Sequence, residues 1–527
     1  MNPSVVMAVP IIRLTVREPS RLHWTLARLF AIPSTNVERV TSALSLTSAL
    51  IALLALADLA IRAAVRLETR WDTFYYHVPF AALRGGISIP YDLNDRIRPL
   101  YEGFPPLPHV IEGVLWKLTG SVNATGVACY LAFSVFLVYC HLALRARFWL
   151  VALISLTAPL VVIHTTVSYV DLFGNALLAI GASSCLYIYL FPDRSSRAVL
   201  LGGLAGLVGA AWSKYQLAPV VVLVFCFLAV VALRSTRAGG LSRREAATFL
   251  LVAATVAAIP YVKNLALYSN PFWPVRMPVL SELFPYKMDV IAEAAAQRPP
   301  PLKDYGQFSL FINSLFEINH PTHYDYRPRW IIDQGNAYLA FRMGGFWFTG
   351  VVTYLVAMMT MLVSYGRRVG IVASLAVVGT LCFVGLLPQS HELRYYTFIP
   401  LTWAATIGML FPHFRATWPR AAPVFLVIAL GLFLHMASEN QPHYQISKTD
   451  YVDAARDWGA SRWWPLLQQG QQYCAVDMVP IGILLTGPTM SEYSIVDRTK
   501  EALCPDNSFI VTSAGIQGRK GAGQPRN

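Results

Sequence analysis

Asp72, in the stretch Glu68-Thr-Arg-Trp-Asp-Thr-Phe-Tyr-Tyr-His-Val-Pro79, is the carboxylate best placed in this sequence to do chemistry. It follows a long apolar run by a few residues and sits among Trp, Tyr and Phe. A carboxylate held at a water–lipid boundary in aromatic surroundings can serve as a general base that lipid substrates reach. The same position also suits an interfacial Asp pairing with Arg70 within a Trp/Tyr belt, and pattern alone leaves both readings open. Two cations complement it: Lys214, in Trp212-Ser-Lys-Tyr-Gln216, and Arg394, in Glu392-Leu-Arg-Tyr-Tyr396. Each stands between apolar spans, where an ionised side chain costs at least about 2 kcal/mol and is therefore usually functional or paired. Clustered, they have the donors to clamp a phosphate. The plainer readings are a Lys214 that snorkels to headgroups and an Arg394 paired with Glu392.

Other polar residues fall in the same parts of the chain. Asp171, in Ser168-Tyr-Val-Asp-Leu-Phe173, opens an apolar span; it either orients a substrate or pairs with Lys214, or simply complements a helix dipole. Glu102, in Tyr101-Glu-Gly-Phe-Pro-Pro, is a second carboxylate that would make a divalent cation feasible if it converged on Asp72, although no Asp-x-Asp pair supports a metal. Tyr76, His77, His109 and Glu392 are candidates to contact substrate. The segment His320-Pro-Thr-His-Tyr-Asp-Tyr-Arg-Pro-Arg-Trp330 is suited to carbohydrate by its aromatic faces and guanidinium groups, and forms either an acceptor wall or a lid.

The elements that must position these groups are membrane helices. Of 527 residues, 55% are hydrophobic and 13% charged, with a mean hydropathy of +0.48. A soluble domain carries about a quarter charged residues. The net charge of +13 does not point to nucleic acid, because Lys and Arg occupy short spacers between apolar runs. About 20 apolar residues cross a bilayer. Eleven spans are expected, near 41–63, 126–144, 147–165, 169–191, 198–213, 216–234, 247–268, 346–365, 369–388, 395–411 and 421–437. With residues 1–40 in the cytoplasm, partly as an amphipathic surface helix, the inner short loops hold twelve arginines, from Arg145 to Arg420. The outer short loops hold only Lys214 and Arg394. The positive-inside rule then places long loops 64–125 and 269–345, and the C-terminus, on the outer face.

The last 90 or so residues change character. A helical run from Asp450 to Gln468 precedes short strand-like stretches at Tyr473–Met478, Ile481–Thr486 and Tyr493–Asp497. These predict a small α/β domain over 438–514 in an oxidising compartment, with Cys474 and Cys504 either bridged or free, and a disordered tail over 515–527. The remaining five cysteines lie in apolar runs, with no metal-ligand spacing.

Taken in order, these motifs resemble a family. The Asp after the first span, the Tyr-Tyr-His that follows, Tyr-x-Gly-Phe-Pro-Pro-Leu, and a helix ending Leu118-Thr-Gly120 are similar to the first outer loop of GT-C membrane glycosyltransferases. The likeness is to the bacterial protein mannosyltransferase and lipid A aminoarabinose transferase group. Asn270-Pro-Phe-Trp-Pro274 and Glu392-Leu-Arg-Tyr395 resemble later elements of these enzymes. The resemblance implies an all-α polytopic GT-C-like fold with a C-terminal α/β appendage, in a bacterial inner membrane. It implies transfer of a sugar from a polyprenyl-phosphate donor to a glycan, lipid or protein acceptor, with inversion, a loop Asp as base, and cations or a metal on the leaving phosphate. A secondary transporter would show mid-span charge and two similar halves. A polymerase or ligase of lipid-linked oligosaccharides would lack the Asp directly after the first span.

Overall fold

The structure, a computed structural model, describes residues 34–69, 72–87, 91–93, 95–194, 196–235, 242–277, 282–290, 304–317, 345–439 and 451–457, with shorter stretches between 462 and 519. The expected surface helix before Ser34, Arg70, the segment 320–330 and the strand at 481–486 lie outside them.

Every expected span contains helix. The bundle comprises α1 (Ser34–Val65), then, after the first outer segment, α5 (Val127–Leu142), α6 (Phe148–Ser155), α7 (Pro159–Thr165), α8 (Asp171–Leu190), α9 (Arg197–Ala211), α10 (Ala218–Ser235) and α11 (Arg243–Tyr268). After a short α12 (Gln307–Phe316) come α13 (Phe348–Tyr365), α14 (Arg367–Leu386), α15 (Phe398–Thr417) and α16 (Ala421–Glu439). Among the described residues, eight helices are long and apolar enough to cross a membrane, nine if α6 and α7 form one span. The expected span at 147–165 is thus a broken one, bent by 99° between α6 and α7, where Pro159 starts the second piece. Two of the eleven expected spans fall outside that test: α9 is short, and α15 is buried along most of its length and carries Thr402, Thr406 and Pro412.

Burial separates centre from rim. In α8, 78% of the spanning window is buried, against 22% in α1, α11 and α14, whose apolar outer faces suit lipid. The sequence of α9 explains the tight centre. Gly203, Gly206 and Gly209 recur on its face against α8, and a Cβ at Gly206 would meet the backbone oxygen of Leu177. Small residues at this spacing let two helix backbones approach closely.

Above one end of the bundle sits the first outer segment: a π-helical turn (Thr73–His77), α2 (Val78–Arg84), β1 (Tyr91–Asp92), α3 (Arg98–Gly103) and α4 (Leu107–Thr119). α4 ends at Gly120, whose φ of 68° is the left-handed cap glycine favours. The C-terminal part holds α17 (Tyr451–Asp457), β2 (Gln472–Val476), β3 (Ser494–Arg498), β4 (Phe509–Thr512) and β5 (Gly515–Arg519). Its strands form a five-stranded sheet in the order β1-β3-β2-β4-β5, parallel except for the β4–β5 pair. Two expectations need correction. Gly515–Arg519 is an edge strand instead of disordered tail, because it completes the open side of β4. The sheet also reaches beyond the expected bounds 438–514 on its other side, because its far edge is β1 from the first outer segment. Cys474 and Cys504 are joined by a disulfide.

Candidate active site

Three loops meet where the sequence analysis expected its reactive groups. The helix α8 begins at Asp171, and α9 ends just before Lys214. The glycine-lined packing of α8 on α9 therefore sets Lys214 against the Asp171 carboxylate as an ion pair. Asn175, one turn into α8, takes the backbone N–H of Phe398 at 3.0 Å and donates to the Arg394 carbonyl at 3.4 Å, stapling the Arg394 loop to the same helix end. Arg394 lies in a short 3-10 turn, Leu393–Tyr396. Its guanidinium faces Glu392 at 3.2 Å, the Tyr395 hydroxyl at 2.9 Å and Asp72 at 3.8 Å. Lys214 Nζ lies 4.0 Å from the centroid of the Tyr395 ring and the Arg394 guanidinium carbon 4.8 Å from it. The two cations therefore share one ring. Asp72, Lys214, Arg394, Asp171 and Glu392 form one cluster. Two pairings raised by the sequence are present: Arg394 with Glu392, and Asp171 with Lys214.

Asp72 precedes the π-helical turn, a rare geometry found often at functional sites. Its side chain is 26% exposed, against 10% for Arg394 and 2% for Asp171. It is the carboxylate of the cluster most open to an incoming group. Behind it, His77 Nδ1 and His109 Nε2 are 3.0 Å apart, both buried. Burial first, then neighbouring positive charge, pushes both imidazoles down, His109 to about 3. The pair is neutral at pH 7, one ring donating and the other accepting. Burial and the Asp72 carboxylate raise the Tyr76 phenol, which stays protonated and can donate. Burial lowers the Lys214 ammonium, and Asp171 pulls it back up. Tyr76, His109, Lys214, Ser213 and Gln216 line a narrow pocket that runs from this cluster toward Phe104 and Tyr215.

Glu102 is held elsewhere. Its carboxylate accepts from Tyr268 at 3.3 Å and its backbone carbonyl from Lys263 at 2.6 Å, at the C-terminal end of α11. The convergence on Asp72 that a divalent cation would have needed is not seen, because the short α3 turns Glu102 toward α11 while its neighbour Gly103 is held by Tyr215 and Asn264. Among the described residues no group of three or more His, Cys, Asp or Glu could hold a metal ion. In Asn270-Pro-Phe-Trp-Pro274, Asn270 is fully buried and bonds Val275, Pro285 and Phe272 backbone groups, which makes this motif a loop clamp. Sequence reasoning missed Asn175, Tyr395 and Tyr169, whose ring lies 5.8 Å from the Arg394 guanidinium carbon and 5.1 Å from the His77 ring. Asn175 had a readable signal, a polar residue one helical turn after Asp171; the fold alone brings Tyr395 to Lys214 and Tyr169 to Arg394.

No known family profile matches the chain, and no curated protein does. The structure is similar to the crystal structure of ArnT from Cupriavidus metallidurans in the apo state, with a TM-score of 0.51 and 13% identity over 86% of this chain and 85% of that one. ArnT from the same organism bound to undecaprenyl phosphate also matches, with a TM-score of 0.49 and 12% identity over the same shares. The first of these likenesses shows the architecture: an all-α polytopic membrane protein with an ArnT-like fold and a small α/β appendage.

Proposed function

We propose that this protein is a glycosyltransferase that moves a sugar from a polyprenyl-phosphate donor to an acceptor hydroxyl at the outer face of a bacterial inner membrane. The observation that carries this reading is the convergence of Asp72 with Arg394, and of Arg394 with Lys214 around Tyr395, although the three come from distant parts of the chain. The donor phosphate sits between Lys214 and Arg394, whose donors suit an anionic oxygen cluster. Its arrival takes the Arg394 guanidinium from Asp72 and leaves that carboxylate to accept a proton. The acceptor oxygen then attacks the anomeric carbon, its proton passes to Asp72, and the bond from that carbon to the phosphate oxygen breaks. One displacement inverts the anomeric centre, and polyprenyl phosphate leaves with its growing charge balanced by the two cations.

A groove supports the lipid half of the proposal. Beside Phe398 and Ile399, just after Arg394, an apolar cleft of about 220 Å³ runs between α8, α10, α14 and α15, lined by Cys185, Val224, Ala376 and Trp403 among others. A polyprenyl chain there has its phosphate end at the cations. Tyr76 and Glu392 are proposed to contact the sugar, and the His77–His109 pair to hold the turn that carries Asp72. The test is Asp72→Asn in reconstituted vesicles: sugar transfer is lost while the protein folds and binds polyprenyl phosphate as before. Retained transfer would remove Asp72 from the role of base.

A further inference from the structure

Phe74 and Val78 lie in and just after the π-helical turn that follows Asp72, and both are fully buried. They belong to one buried apolar cluster with Leu67 and Trp116 of the first outer segment and with residues from the other end of the chain: Tyr473, Ala475 and Val511 of the sheet. The period of two along a strand explains which residues do this. Tyr473 and Ala475 project from β2 toward the outer segment, while Cys474 between them projects to the far face and packs with Cys504 and Ile510. The backbone adds a second tie, since β1 pairs in parallel with β3, Tyr91 opposite Ile495 and Asp92 opposite Val496. The phosphate anchors are held differently. Lys214 pairs with Asp171 and the Arg394 backbone is held by Asn175, both at the start of α8, while the Arg394 guanidinium also faces Asp72 at 3.8 Å.

We propose that the C-terminal domain is a positioning element for the Asp72 turn: its sheet, through Tyr473, seats Phe74 and so aims the carboxylate, while the phosphate anchors are held chiefly from the end of α8. The proposal rests on the reading of Asp72 as the base. It separates two kinetic quantities. Loosening the sheet misplaces the base and lowers kcat, whereas donor affinity, set by Lys214 and Arg394, stays. The Cys474–Cys504 bridge acts on Asp72 only from the far face, by fixing β2 to the segment that leads into β4.

The experiment uses the full-length protein in lipid nanodiscs and compares Tyr473→Ala with wild type by amide hydrogen exchange, donor KM and kcat. Exchange over residues 73–84 is expected to rise at least about tenfold, with residues 213–217 and 390–397 unchanged; a base displaced by about 1 Å costs up to roughly a hundredfold in kcat, with KM within about threefold. Tyr473→Phe keeps the ring that stacks on Phe509 and loses only the hydroxyl that accepts from the Gln468 N–H, so it restores wild-type values. If Tyr473→Ala does not accumulate, the double variant Cys474→Ala/Cys504→Ala loosens the same sheet from its other face and is read the same way. Unchanged exchange over 73–84, equal loosening of the anchor loops, or a KM that rises in step with the fall in kcat overturns the proposal. The exchange reading needs no turnover, so a wild-type protein that transfers no sugar sinks the enzyme reading and leaves this coupling decided by exchange alone.

Discussion

Asp72 and Glu102 are both acidic residues of the first outer segment, both set among aromatic side chains, and the fold treats them in opposite ways. Asp72 faces the Arg394 guanidinium at 3.8 Å, and that guanidinium is shared with Glu392 and the Tyr395 hydroxyl. Glu102 meets Lys263 through its backbone carbonyl and Tyr268 through its carboxylate. A carboxylate whose cation is shared can be released when an anion takes that cation. A carboxylate hydrogen-bonded to a tyrosine, beside a lysine already held by a carbonyl, is part of the scaffold. The difference is one of partners, because composition around the two residues is alike.

This contrast is open to attack by substitution. The largest effect is expected from Asp72→Asn, which removes the proton acceptor and should lower kcat by roughly 10²–10⁴-fold in a transfer assay, the usual range for a general base. A variant retaining a tenth of the turnover would erase the distinction between the two acids. Arg394→Ala comes next. It should weaken donor binding about a hundredfold in competition with polyprenyl phosphate and leave acceptor KM unchanged, and Arg394→Lys should recover little, because a single ammonium cannot serve Glu392, Tyr395 and a phosphate together. Equal losses for donor and acceptor would count against a phosphate role.

A third effect comes from acid. The His77–His109 pair is buried and neutral in the fold, whereas unfolded histidine titrates near 6.5. The unfolded chain therefore binds more protons between about pH 3 and pH 6.5, and stability must fall as pH drops through that window. With His109 near 3 in the fold, the loss at pH 5 is roughly 2 kcal/mol. A thermal unfolding series from pH 7.5 to 4.5 should show the midpoint fall, and His109→Gln should flatten that slope. A slope unchanged by the substitution would assign the acid sensitivity to other groups. The smallest effect belongs to Glu102→Gln, expected to change kcat less than about threefold, since its partners are a tyrosine hydroxyl and a lysine already held by the backbone. A large loss there would move Glu102 into the chemistry.

Much of this was legible in the chain because membrane insertion writes itself plainly into sequence. Each apolar run became helix, since a segment in lipid must satisfy its own backbone. Lys214 and Arg394 stood out as charges where charge is costly, and the structure sets them around one tyrosine ring. What stayed hidden depended on contacts between distant residues. Nothing local to Tyr91 and Asp92 says that they complete a sheet made by residues 472–519. The break between α6 and α7 was masked by apolar residues on both sides of Pro159. The Asn270-Pro-Phe-Trp-Pro274 motif drew attention for its resemblance, yet its asparagine spends its hydrogen bonds on its own loop and on Pro285. Whether Glu102 would converge on Asp72 stayed open in the sequence, because proximity along the chain says little about direction once a short helix intervenes.

The account stands most directly on where a donor phosphate binds. A cryo-electron microscopy map of the protein in nanodiscs with polyprenyl phosphate is the measurement that decides it. The account predicts phosphate density between Lys214 Nζ and the Arg394 guanidinium, with the Asp72 carboxylate turned from Arg394 toward the open chamber and the lipid chain running past Phe398. Phosphate density at another site, with the Asp72–Arg394 contact intact, would contradict it.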